Sequence, residues 1–131
     1  MNTKDVGDIS EAYAAARFLE LGYPTMKPLG DNQRYDLVID RGDGFERVQV
    51  KTGRSNGDRI SFCTASSYSH RGRPRRDYRD DADLFAVYCP ETRDVYLIPV
   101  EVAPRSEMYL RLAPPKNGQT KGIHLASRYA I

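Results

Sequence analysis

Tyr35-Asp36-Leu37-Val38-Ile39-Asp40, then Arg41-Gly42-Asp43-Gly44, then Phe45-Glu46-Arg47-Val48-Gln49-Val50-Lys51-Thr52 is the stretch on which the architecture turns. Its two flanks are rich in Val, Ile and aromatic residues with partial period-two alternation, and the middle carries turn chemistry, so the whole reads as an antiparallel hairpin. With an even-numbered loop centred between Gly42 and Asp43, Asp36 faces Gln49, Leu37 faces Val48 and Tyr35 faces Val50. Directly opposed residues have Cβ atoms roughly 4.5–5.5 Å apart, and Lys51, two residues past Gln49, points to the same face. A carboxylate, an amide and an ammonium thus converge on one side, as a metal-dependent phosphodiesterase requires. Tyr35, Leu37, Ile39, Val48 and Val50 form the other side and can bury against a core. A three-residue loop would break this arrangement. Taken alone, the spacing also fits an ordinary amphipathic hairpin with a solvated polar face, because such short patterns recur by chance.

The rest of the composition narrows the class. At 131 residues the chain reads as one domain, residues 1–131, long enough to bury a single core without staples. Cys63 and Cys89 each stand in an apolar strand-like run and read as reduced core residues, while His70 and His124 are far apart. Neither a disulfide framework nor a zinc cluster is indicated. Lys4, Asp5, Asp8, Glu11, Arg17 and Glu20 exclude a secretory apolar region at the start of the chain. The longest apolar run, Leu84 to Cys89, is too short to span a bilayer, so a soluble cytoplasmic protein with no membrane partner is expected.

Net charge is only +2, but its distribution is uneven. Between Lys51 and Arg79 eight basic residues (Lys51, Arg54, Arg59, Arg71, Arg73, Arg75, Arg76, Arg79) face two acidic ones, Asp58 and Asp77. Fifteen of the twenty basic residues are arginine, whose planar fork suits phosphates and base edges. Ser66, Ser67 and Tyr68 lead into this cluster. A nucleic-acid-tracking segment made of Arg54, Ser66, Ser67, Arg71, Arg73, Arg75, Arg76 and Arg79 is expected, with Arg34 beside Asp36 as a further contact. The competing reading is a solvated loop whose charge answers Asp80, Asp81 and Asp83 downstream.

A scaffold can be drawn around the hairpin. A helix capped by Asp5 or Asp8 should run to about Leu21, stopped by Gly22. Short strands are expected at Thr25 to Pro28 and Ile60 to Thr64, and a second hairpin-like unit at Asp83 to Cys89 and Val95 to Val100. Leu84-Phe85-Ala86-Val87-Tyr88 reads as a central strand buried on both faces. Met108 to Leu112 is expected as an edge strand, 113–119 as a loop, and Leu125 to Tyr129 as a short tail element. The expected fold class is therefore α/β in the α+β sense: a mixed central sheet with a leading helix packed on it. Glu11 lies on that helix, where Asp8-Ile9-Ser10-Glu11 fits a capping box and spacing alone favours that role.

Glu11, Asp36 in Arg34-Tyr35-Asp36-Leu37, and Gln49-Val50-Lys51 resemble the PD-(D/E)XK nuclease superfamily, in the variant where Gln replaces the second acidic residue, as in Mrr-type restriction domains. The ordered segments Gly7-Asp8-Ile9-Ser10-Glu11, Asp31-Asn32 to Asp36, Val48 to Thr52, Asp83 to Thr92 and Pro114-Pro115-Lys116-Asn117-Gly118-Gln119 are similar to the family that includes a cyanobacterial group I intron homing endonuclease. This resemblance implies a restriction-endonuclease-like core and Mg²⁺-dependent hydrolysis of double-stranded DNA, with Mn²⁺ as a substitute ion. It further implies Glu11, Asp36, Gln49 and Lys51 as catalytic residues. Asp36 would be the central metal ligand, with Gln49, the Val50 carbonyl and Glu11 completing the protein's share. Lys51 would offset developing negative charge and position the attacking water. Asp40 is a reserve candidate nearer the turn. Cutting both strands implies two active sites, hence a homodimer or homotetramer. Rivals are a Holliday-junction resolvase acting on branched DNA, a restriction-type nuclease, and a DNA-binding module without turnover.

Overall fold

Helix α1 (Thr3–Glu20) opens the chain in the computed structural model, which describes residues 1–66 and 76–131. It is followed by β1 (Thr25–Met26), β2 (Leu37–Asp40), β3 (Phe45–Thr52), β4 (Arg54–Ser55), β5 (Arg59–Cys63), β6 (Leu84–Cys89) and β7 (Asp94–Pro99). A 3₁₀ turn (Val100–Val102), β8 (Glu107–Arg111) and the short helix α2 (Ala126–Tyr129) complete it. No helix among the described residues is long and apolar enough to cross a membrane.

The hairpin has the expected register, Leu37 opposite Val48 and Asp40 opposite Phe45, because this register puts Leu37 and Ile39 of β2 on the buried side together with Val48. Asp40 accepts a hydrogen bond from the Gly42 amide (2.8 Å), and Arg41 makes a two-pronged pair with Glu46 (2.6 and 2.7 Å). Those contacts close the turn. Gly42 and Gly44 both have positive φ, which a residue lacking Cβ adopts without strain.

Five strands form the main sheet in the order β1-β2-β3-β6-β7, antiparallel except where β3 runs parallel to β6. All six residues of β6 are buried. Leu84, Ala86 and Tyr88 join Ala14 and Phe18 of α1 on one face, and Phe85, Val87 and Cys89 pack with Ile60, Phe62, Met108 and Leu110 on the other. Phe18 and Phe85, both completely buried, each contribute about 2–3 kcal/mol of apolar burial. Cys89 is buried and Cys63 partly so.

Several expectations from the sequence need correction. The second apolar layer is a separate three-stranded sheet, β4-β5-β8, which the sequence does not announce, and β8 is the expected edge strand, of that sheet. Gly53 is where the chain passes between sheets: its amide bonds the Tyr88 carbonyl (2.8 Å) and β4 starts one residue later. The α1 cap is Asn2, whose side chain accepts from the Asp5 amide (2.9 Å), so Glu11 lies well inside the helix and no capping box forms there. Tyr35, one residue before Asp36 and outside β2, packs on the face opposite Leu37 and Ile39 because strand alternation does not extend to it.

Candidate active site

β2 begins too late in the chain to pair with all of β3, and the site forms at that step. The Asp36 amide still reaches the Val48 carbonyl (2.8 Å), but opposite Val50 the partner is a side chain: the Val50 N–H donates to Asp36 Oδ2 at 2.9 Å. In an antiparallel ladder the N–H and C=O of one residue point to the same neighbour, so the Val50 carbonyl also faces the side that β2 leaves open. The Gln49 amide nitrogen lies 3.5 Å from that carbonyl oxygen. Two of the expected ligand groups therefore sit side by side, and a half-turn of the Gln49 amide exchanges its nitrogen for its oxygen at the same place.

Helix α1 lies across the Val48 and Val50 face and brings Glu11 to this point, anchored by a part-buried hydrogen bond between Ser10 and Thr52 of β3. Glu11 forms a 2.5 Å ion pair with Lys27, which follows β1. Burial first, and then the Glu11 charge, push the Asp36 carboxyl above the usual aspartate range. The Val50 N–H, Lys51 and Lys27 pull it the other way. Glu11, Asp36, Lys27 and Lys51 therefore belong to one electrostatic unit. Lys27 escapes a reading of the sequence, since nothing in its local surroundings distinguishes it.

Lys51 extends from the other face of β3, where its ammonium lies 3.1 Å from the Tyr78 hydroxyl and 4.6 Å from that ring's centre. Tyr78 escapes it too, because an aromatic residue amid Arg76, Asp77 and Arg79 carries no signal until the fold sets it beside Lys51.

The donor set suits a hard divalent cation. Two carboxylates, an amide and a backbone carbonyl are oxygen donors, the kind that Mg²⁺ or Mn²⁺ takes together with substrate phosphate. Among the described residues no three His, Cys, Asp or Glu side chains converge. The raised Asp36 carboxyl is what burial beside a second acid produces, and positive charge placed there relieves it.

The expected nucleic-acid residues divide. Arg34 is an internal clamp: its guanidinium donates to Asp81 (2.5 Å), Ser66 Oγ (2.7 Å) and the carbonyls of Asp77 (2.6 Å) and Arg76 (2.9 Å), and it lies 4.1 Å from the Tyr78 ring centre. Arg76 is exposed and pairs with Asp81 (3.2 Å), and Arg79 donates to the Ala103 carbonyl (3.2 Å). Ser66 and Arg76 are joined through their backbones (2.9 Å), beside an Ala65–Asp77 bridge. Arg54 lies apart, on β4 opposite Ser61. Ser67, Arg71, Arg73 and Arg75 fall outside the described residues.

Known proteins resemble this chain in sequence and fold. A family model described as PD-(D/E)XK endonuclease matches residues 1–131. Protein 5.3 of Escherichia phage T7 is 32% identical over 88 residues, spanning 65% of this chain and 71% of that protein. The solved structure of a bacterial homing endonuclease, I-Ssp6803I, superposes with a TM-score of 0.79 at 28% identity, over 99% of this chain and 89% of that one. The mixed sheet with its leading helix is accordingly the restriction-endonuclease-like fold. With the carboxylate and amide gathered where β2 leaves β3 unpaired, and a family match from the first residue to the last, the chain belongs to the PD-(D/E)XK endonuclease family.

Proposed function

We propose that this nuclease is a Mg²⁺-dependent endonuclease that hydrolyses phosphodiester bonds of double-stranded DNA in the manner of a homing endonuclease. The observation that carries this reading is the site just before β2, where Asp36 holds the Val50 amide and Gln49 lies against the Val50 carbonyl. Asp36, Gln49, the Val50 carbonyl and Glu11 would hold the cation, with Mn²⁺ able to replace Mg²⁺. When bound, the ion supplies Lewis-acid charge to the scissile phosphate and eases deprotonation of the attacking water.

The chain's own residues do the rest. Asp36 and Glu11 carry the negative charge that would hold the cation, and Lys51 positions the attacking water. Lys51 places a positive charge beside the phosphorus as water attacks and the bond to the leaving oxygen breaks, stabilising the charge that develops. Arg76 and Arg79, with the basic residues preceding them, hold the DNA backbone. Residues 1–131 act as one nuclease domain, and cutting both strands calls for two copies, as a homodimer or homotetramer. We place the protein in the cytoplasm.

Supercoiled plasmid incubated with Mg²⁺, Mn²⁺ or EDTA tests the activity. Linearisation with either metal and none with EDTA is expected; binding without cutting under all three conditions would leave a non-catalytic DNA-binding module. Linear and branched substrates run side by side separate the homing or restriction reading from a Holliday-junction resolvase, which would prefer the branched one.

A further inference from the structure

We infer that Tyr78 is the positioning residue of this site: its hydroxyl and ring hold the Lys51 ammonium in the place from which it meets the phosphate. The inference rests on the catalytic role given to Lys51 above. A lysine is a point charge on a flexible four-carbon stem, and free in solvent it samples many rotamers. Charge stabilisation of a transition state depends on placing that charge before the reaction begins. Something must therefore hold Lys51.

The ammonium's one hydrogen bond among the described residues goes to Tyr78 Oη, 3.1 Å away. No carboxylate lies within ion-pair distance of it among those residues, although Asp36 feels its charge. Tyr78 is itself fixed. Only 7% of it is exposed, its ring meets Phe85 edge-on at 5.6 Å and 85°, and its carbonyl accepts from the Asp81 and Ala82 amides (both 3.0 Å). Arg34 lies 4.1 Å from the same ring centre while its nitrogens tie together Ser66, Arg76, Asp77 and Asp81.

Two cations thus share one aromatic ring. Such contacts strengthen as water is withdrawn, and this ring is almost fully buried. A neutral phenol suits the task better than a carboxylate would. It accepts from the ammonium without neutralising it, leaving the full positive charge for the phosphate. A tyrosine kept only for packing would not need its hydroxyl aimed at a lysine.

The test is Tyr78→Phe, which keeps the ring in place and removes the hydroxyl, with Tyr78→Leu removing both. Single-turnover cleavage at saturating DNA, corrected for the folded fraction, is expected to fall about tenfold in Tyr78→Phe and further in Tyr78→Leu. DNA affinity should stay within about twofold of wild type, so that the loss lies in turnover and not in binding. The ¹⁵N-edited spectrum of the free protein should show a slowly exchanging Lys51 ammonium signal in wild type that disappears in Tyr78→Phe. Wild-type turnover per folded molecule in both variants, with the ammonium signal unchanged, would overturn the role of Tyr78 and leave the nuclease reading standing. Failure of the wild type to cut any DNA with either metal would overturn the nuclease reading itself.

Discussion

Asp36 and Lys51 are asked to do opposite electrostatic work at one site. The Asp36 carboxyl, raised above its ordinary range by burial and by Glu11, is easier to protonate in the folded chain than in the unfolded one. Such a group contributes stability below its unfolded value and loses it as pH rises through its folded value. In the metal-free protein, ionised Asp36 therefore works against folding at neutral pH. Asp36→Asn should abolish cleavage yet raise the melting temperature by about 2–5 °C at about pH 7, with the gain vanishing near pH 3, where the wild-type carboxyl is protonated. Differential scanning fluorimetry without metal checks this, and an equal gain at both pH values would contradict it. On the role proposed for its charge in the transition state, Lys51→Ala should leave DNA affinity within a few-fold while single-turnover cleavage drops by at least about 10²-fold. A filter-binding assay beside the cleavage assay separates the two.

Among the elements, the passage from β3 to β4 is the most constrained. A Cβ placed on Gly53 would lie 2.7 Å from Ile60 Cγ2 and 2.9 Å from Val87 Cγ1, both on completely buried branched side chains with no room to retreat. The reason for glycine here is space, not a left-handed backbone. Gly53→Ala should cost about 1–3 kcal/mol in urea unfolding, read as a shift of midpoint at constant slope. The neighbouring elements show how much can be read beforehand. The β2–β3 hairpin is legible in the sequence because its alternation and turn allow one register that buries Leu37, Ile39, Val48 and Val50 together. The all-apolar run of β6 also announces a strand buried on both faces. The second sheet does not show itself, since β4 is two residues long and its partners are defined by tertiary contact, not by pattern. The helix cap is hidden for a related reason: Asp5, Asp8 and Asn2 are all good caps by type, and only the backbone selects Asn2.

At the scale of the whole molecule, DNA and metal should bind as one. In the proposed site two carboxylates are few ligands for a divalent ion, so phosphate oxygens of the substrate would join water in completing the coordination. Isothermal calorimetry should show weak Mg²⁺ binding to the free protein and at least about tenfold tighter binding when uncleavable DNA is present. Equal affinities would contradict this. DNA affinity itself should come from the basic run that ends at Arg79. Replacing Arg75 and Arg76 together with alanine should weaken binding and flatten the plot of log affinity against log salt by about 0.9 for each phosphate that is no longer neutralised. An unchanged slope would move the DNA to another face.

What could be settled from the residues in order was local and periodic. The hairpin, its register from Leu37 to Phe45 and the buried central strand all follow from side-chain alternation and turn chemistry, which act over a few residues. Glu11 could be tied to that site by resemblance but not by spacing, since its distance from Asp36 depends on how α1 crosses β3. Lys27, Tyr78 and the inward turn of Arg34 belong wholly to the tertiary structure. Each is defined by a partner at least sixteen positions away, and no period or spacing in a chain encodes such a meeting; it exists only once the layers have packed.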